Sequence, residues 1–195
     1  MSKFSFIFIV VILFATHLRA QVYIEFGSLN FLKEDTTLNV IYNYDNLQVG
    51  DLTEEEYIAK RKDDSNGHVW LASWLGNRTQ LYQPSFQKYL NRKLRKCNFN
   101  VHPSKNLASY TILVKTRFIE PGFWAYRVSM PSQVVIEFSF FKNTDPTTVL
   151  AVLKAPPFKG VGFDPASRIQ SAYINAGNAL GKFLKDHVFQ VKQLD

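Results

Sequence analysis

Enzymatic chemistry needs reactive side chains that can converge, and this sequence spaces its own far apart. Beyond residue 20 the histidines are His68, His102 and His187, in segments that read as different elements. None is followed at i+4 by a histidine or a carboxylate, the spacing that puts two metal ligands on one helix face. Cys97 is the only cysteine, so the chain can form no internal disulfide and no multi-cysteine metal site. A nucleophilic thiol wants a histidine or a basic environment. Lys93 and Lys96 are near in sequence but no partner is identifiable, and Cys97 reads as a small, buried or half-buried apolar residue. Glu54-Glu55-Glu56 would suit a metal or acid–base catalysis, yet Thr53 directly before it makes Thr53–Glu56 a capping box. Glu137 and Asp145 read as exposed groups on a strand and its turn. The glycine-rich nucleotide loops, the H-E-x-x-H zinc helix and the G-x-S-x-G elbow are all missing. These features predict no catalytic residue, no cofactor and no metal site.

The sequence does offer contact chemistry. Pro121-Gly122-Phe123-Trp124-Ala125-Tyr126 and Pro156-Pro157-Phe158-Lys159-Gly160-Val161-Gly162-Phe163 place large aromatics between residues that punctuate structure. Loops carry recognition residues more often than the elements they join, and aromatics are favoured anchors. In an extended segment Phe123 and Ala125 face one way, Trp124 and Tyr126 the other. One of those faces is hard to fit inside a small domain. Phe123, Trp124, Tyr126, Phe158 and Phe163 are therefore the candidate partner-binding residues, as one exposed apolar patch. The alternative is that they fold over an open end of the core. Trp70 and Trp74, one helical turn apart, could form a cofactor or sugar platform but read more readily as core packing.

The elements that would position these loops follow from hydrophobic period. Thr37–Tyr44 alternates with Leu38, Val40, Tyr42 and Tyr44 on one face, which predicts the first strand. Residues 21–37 show no clean period. A helix begins at Thr53, and a short apolar piece follows through Val69–Leu75. From Pro84-Ser85 a second amphipathic helix carries Phe86, Leu90, Leu94 and Cys97 on one stripe. Tyr110–Ile119 and Gln133–Phe141 read as strands, and Thr148–Lys154 returns after the Asn143–Pro146 turn to form an antiparallel hairpin. Asp164-Pro165 opens the last helix, with Asp as cap and Pro at its first position. Its stripe is Ile169, Ala172, Tyr173, Ala176, Ala179, Leu180, Phe183 and Leu184. Gly177 and Gly181 cost ~1 kcal/mol each against Ala, which implies close packing, here expected against the sheet. Val188–Asp195 is a candidate terminal strand. The sum is one α/β (α+β) domain over 21–195: a mixed, largely antiparallel sheet packed against amphipathic helices.

The amino-terminal segment concerns destination. Lys3 precedes a nearly uninterrupted apolar run, Phe4–Ala15, and Ala20-Gln21 supplies a small-residue exit. Residues 1–20 thus read as a secretory signal peptide. About a dozen helical residues reach ~18 Å, short of the ~30 Å hydrocarbon core, so an uncleaved anchor is the weaker reading. No integral membrane span is expected after cleavage, and contact with a membrane would be through the surface alone. The formal charge is +7, and losing Lys3 and Arg19 with the leader lowers it to +5. That excess is scattered and predicts no nucleic-acid partner, while allowing weak attraction to anionic lipid or cell-wall polymer. Asn77-Arg78-Thr79 matches the glycosylation acceptor pattern.

Phe86-Gln87-Lys88-Tyr89-Leu90, followed by Ala108-Ser109-Tyr110-Thr111-Ile112-Leu113-Val114, resembles the envelope proteins grouped around the TolB amino-terminal domain and the curli-secretion lipoprotein CsgG. The hairpin at 133–154 is similar to their strand pair, and Ala172–Gly181 to their closing helix. The whole also resembles small exported proteins of the Bacteroidetes. The likeness covers 82–187 and departs from the secretion lipoproteins in lacking an acylated cysteine. It implies a TolB-like layer arrangement and a cell-envelope role through protein contacts, with no shared catalytic residue. The expected function is a non-enzymatic periplasmic or extracellular domain that binds an envelope protein or polymer. The alternative is a hydrolase of an extracytoplasmic polymer with dispersed Asp, Glu and His, and self-association stays open.

Overall fold

A computed structural model describes residues 21–63, 66–104 and 107–190. The leader assigned to 1–20 and the last five residues lie outside the described residues. In chain order the strands and α-helices are β1 (Tyr23–Gly27), β2 (Thr37–Asn43), β3 (Gln48–Val49), β4 (Leu52–Thr53), α1 (Glu54–Lys62), α2 (Gly67–Asn77) and α3 (Gln83–Leu94). Then come β5 (Asn100–His102), β6 (Tyr110–Glu120), β7 (Phe123–Ala125), β8 (Val128–Met130), β9 (Ser132–Lys142), β10 (Asp145–Lys154), β11 (Phe158–Gly160) and α4 (Pro165–Leu184). The fold is mixed α+β, with one main sheet in the order β1-β10-β9-β6-β2-β5. The pairs β1-β10, β10-β9 and β9-β6 are antiparallel, whereas β6-β2 and β2-β5 are parallel. Among the described residues no helix is long and apolar enough to cross a membrane.

Alternation along the central strands decides what the sheet buries. Ile112, Val114, Ile136, Phe138, Phe140 and Leu153 are all sealed from solvent, as are Phe86, Leu90 and Leu94 of α3. Phe86 stacks on Phe138 at 6.0 Å, and Tyr173 of α4 bonds Thr116 of β6 through its hydroxyl at 2.6 Å. Desolvation pushes the Tyr173 hydroxyl well above its ordinary pKa, so it stays a neutral hydrogen-bonding group. Positions between these carry water-compatible charge instead. Lys115 faces Glu137 across β6 and β9, Arg117 bonds Glu137 at 3.0 Å, and Lys154 bonds Glu25 at 2.6 Å.

Several elements depart from their sequence-based expectation. β1 is an edge strand whose five residues are all exposed, so it has no apolar alternation to betray it. The helix expected to start at Pro84-Ser85 is continuous with α2 through a π-helical turn at Arg78–Tyr82. Proline supplies no N–H for the preceding turn, and a widened turn accommodates that loss without ending the helix. Val188 and Phe189 belong to a second π turn, Lys185–Phe189, rather than a strand, with Val188 buried. Trp74 is core, 6% exposed, and its ring N–H donates to Glu54 at 2.6 Å, with Trp70 stacked on it at 5.7 Å. The Thr53–Glu56 capping box is present, but Glu54 is not a solvated residue: it also pairs with Arg78. Cys97 is half-buried, which raises its thiol pKa.

The helix glycines serve a different neighbour from the one expected. A Cβ on Gly177 would lie 2.4 Å from the Phe86 carbonyl oxygen, and one on Gly181 would lie 2.6 Å from Lys93 Cβ. Close approach is therefore to α3, not to the sheet. Gly177→Ala should lower unfolding stability by about 1–3 kcal/mol, because steric overlap with helix backbone outweighs the ~1 kcal/mol gain in helix propensity. Urea denaturation checks this by its sign, since propensity alone requires a more stable variant.

Candidate binding site at the aromatic loops

Two loops meet at the start of α4. The first leaves β6 at Glu120 and turns at Pro121-Gly122, where Gly122 takes a positive φ of 65°. A side chain there would also strike the Met130 carbonyl, at 2.3 Å, so glycine is required twice over. β7 and β8 then form a small antiparallel hairpin of their own, with Phe123 opposite Met130 and Ala125 opposite Val128. The segment between Pro121 and Pro131 is thus a two-stranded ribbon. The second loop follows β11 and runs through Val161-Gly162-Phe163 into the cap of α4. Asp164 there accepts from the Ser167 N–H at 2.9 Å, a bond that holds its carboxyl below the usual range.

Arg168 joins the two loops. It is only 4% exposed, on the first turn of α4. Its Nε donates to the Pro121 carbonyl at 3.0 Å and its Nη2 to the Gly122 carbonyl at 3.0 Å. Nη1 donates to the Phe163 carbonyl at 3.0 Å and to the Gly162 carbonyl at 3.4 Å. The ion pairs among the described residues, Arg78–Glu54, Arg117–Glu137 and Lys154–Glu25, do not include it. Guanidinium stays charged at any physiological pH, so four backbone dipoles take the place of a counter-ion. The buried Ser132 hydroxyl closes the arrangement by donating to the Arg168 carbonyl at 2.8 Å.

Above this clamp lies an open cleft of about 370 Å³ walled by Phe123, Trp124, Met130, Pro131, Val161 and Phe163. Trp124 and Phe163 meet edge to face at 6.2 Å across the two loops. Trp124 is 60% exposed, Tyr126 88% and Phe163 86%, with Phe123, Val128 and Val161 also exposed. Four of the five sequence-selected aromatics thus lie on the surface in these loops. Phe158 does not: it is buried, because β11 pairs with β9 and its alternation turns Phe158 inward and Lys159 outward. Pro156-Pro157 made that segment look like loop, whereas an edge strand tolerates prolines at its start. Arg168, Val128 and Val161 were missed. The available signal for Arg168 was a charged residue beside the apolar stripe, immediately before Ile169.

Other positions gather less. His68 and His102 are exposed, and His187 stacks on Phe183 at 4.4 Å with Nδ1 at 3.0 Å from that residue's carbonyl. Among the described residues no group of three or more His, Cys, Asp or Glu is arranged to hold a metal ion. One open concavity of about 510 Å³ is lined by Asp51 and Glu120 together with Tyr57, Lys60 and Arg61. Glu120 there accepts the Gly122 N–H at 3.0 Å.

No protein-family model and no curated protein matches the chain. Among solved structures it is similar to the PelC dodecamer from Paraburkholderia phytofirmans, at 12% identity and a TM-score of 0.39, over 82% of this chain and 98% of that one. A point-substituted PelC dodecamer from the same organism gives 14% identity and a TM-score of 0.38, over 84% and 98%.

Two substitutions separate the clamp from the surface it presents. Arg168→Met should cost at least ~3 kcal/mol, since it removes charge-assisted bonds and strands buried carbonyls. Trp124→Ala should change stability by no more than ~0.5 kcal/mol, the usual range for an exposed site. Thermal unfolding of both variants gives the comparison, and an early-melting Trp124→Ala would make Trp124 a core residue.

Proposed function

We propose that this chain is a non-enzymatic domain of the cell envelope whose contact surface is the apolar patch of Phe123, Trp124, Tyr126 and Phe163. The observation that carries the reading is that these rings are exposed while the loops beneath them are tied down by Arg168. Large aromatic groups held out in water are the usual anchors of recognition, and pre-ordered loops lose little entropy on binding. The export-type leader and the resemblance to TolB- and CsgG-like domains support the envelope assignment. The cleft walls are mainly apolar and the polar head of Arg168 is committed to backbone. Hydrophilic polymer therefore fits the cleft poorly, and a partner that presents apolar surface fits it well.

The second reading is a hydrolase, favoured specifically by Asp51 and Glu120 sharing one concavity with two basic residues and Tyr57. Glu120→Gln would abolish turnover of an envelope polymer on that reading and leave partner binding intact on ours.

The test is crosslinking in the native envelope, with the wild-type chain compared with Trp124→Ala/Phe163→Ala. Crosslinked product should fall several-fold in the double variant at equal protein level and equal melting temperature. Retention of the same product by the variant would remove the patch from the function.

A further inference from the structure

The chemistry of the patch narrows what can cover it, resting on the reading above that the patch is a contact surface. Tyr126 at the hairpin tip and Phe163 at the second loop are nearly as exposed as in an unfolded chain. Tyr126 projects from the hairpin tip, while Trp124 and Phe163 stand at the rim of the open cleft. Between Pro121 and Pro131, and between Pro156 and Phe163, the charged side chains are Arg127 and Lys159, with no Asp or Glu. Both basic residues are exposed, and the Arg127 guanidinium lies 5.4 Å from the Tyr126 ring centre. The carboxylates lie at the loop bases and not in the loops themselves: Glu120 accepts the Gly122 N–H, and Asp164 caps α4. Amphipathic Trp and Tyr rings with Phe beside them, with basic side chains alone within the loops, match the water–lipid boundary. There aromatic bodies enter the headgroup layer while Arg and Lys reach anionic phosphates.

We infer that the two loops dock this domain onto an anionic lipid surface, with Trp124, Tyr126 and Phe163 inserted among the headgroups and Arg127 and Lys159 meeting lipid phosphates. A fluid surface needs no matching shape, which suits rings standing at a hairpin tip and a cleft rim. The Arg168 clamp keeps both loops in one arrangement, so neither must be ordered on arrival.

The experiment is sedimentation of the full chain with vesicles of phosphatidylcholine alone and of phosphatidylcholine mixed with phosphatidylglycerol. Residues 1–20 contribute equally in every variant compared. Binding should favour the anionic vesicles, and Trp124→Ala/Phe163→Ala should weaken it roughly tenfold or more. Arg127→Glu/Lys159→Glu should erase the anionic preference. Trp124 emission, taken as the difference between wild type and Trp124→Phe, should be quenched by lipids brominated on their acyl chains. That readout reports the position of the loop itself. An unquenched Trp124, or vesicle binding indifferent to the double aromatic substitution, overturns the lipid assignment. If crosslinking to a protein still depends on Trp124 and Phe163 in that case, the contact surface stands and its occupant is protein. If neither lipid nor protein depends on them, both readings fall.

Discussion

A guanidinium ion taken out of water must find its solvation elsewhere, and Arg168 finds it in four backbone carbonyls. An isolated buried charge is costly, and the usual remedy is a carboxylate partner. Here the partners are the carbonyls of Pro121, Gly122, Gly162 and Phe163, which belong to turns outside the main ladder. Such carbonyls need donors whenever they are shielded from water. The two demands meet each other. A forked planar donor set answers several acceptors at once, which an ammonium on a single point cannot do with the same geometry. The arrangement ties two loops distant in sequence to one helical turn.

The clamp works only if α4 delivers Arg168 to the right place. Position along the helix is set by how α4 beds on its neighbours. Gly177 and Gly181 admit the backbone of α3, while Tyr173 stacks on Tyr82 at 5.3 Å and bonds Thr116. The Asp164 cap fixes where the helix begins, one residue after Phe163. Helix start, helix depth and loop position are thus one mechanical assembly. α4, about 30 Å long from the ~1.5 Å rise of its 20 residues, carries both the glycine contact with α3 and Arg168.

Much of this scaffold was legible in the residues. β2, β6, β9 and β10 announce themselves because alternate side chains enter a core, and α4 because Asp164-Pro165 is a strong start signal before an apolar stripe. Local rules suffice where local pattern and burial coincide. They fail where a partner distant in sequence decides the outcome. β1 pairs with β10 more than a hundred residues on, and exposed residues on both its faces leave no period. Phe158 is buried by pairing with Val134 of β9. The glycines of α4 signalled a close neighbour but could not say which one. Arg168 is the extreme instance: its partners are carbonyls, and carbonyls have no residue identity to read.

The exposed rings then present a physical problem that the fold does not relieve. A chain that buries Phe138, Phe140 and Phe86 completely has the means to hide aromatics, yet Trp124, Tyr126 and Phe163 stand in water. Folding a flexible loop back over the cleft would cover some of that surface. The Arg168 bonds oppose it, because each loop would have to surrender charge-assisted bonds to move. Scattered apolar residues on a surface are ordinary, but contiguous patches mark sites of interaction. The clamp ties the bases of both loops to α4, and the patch between them stays uncovered. A surface held open at the expense of internal burial is physically coherent when something outside the domain completes it.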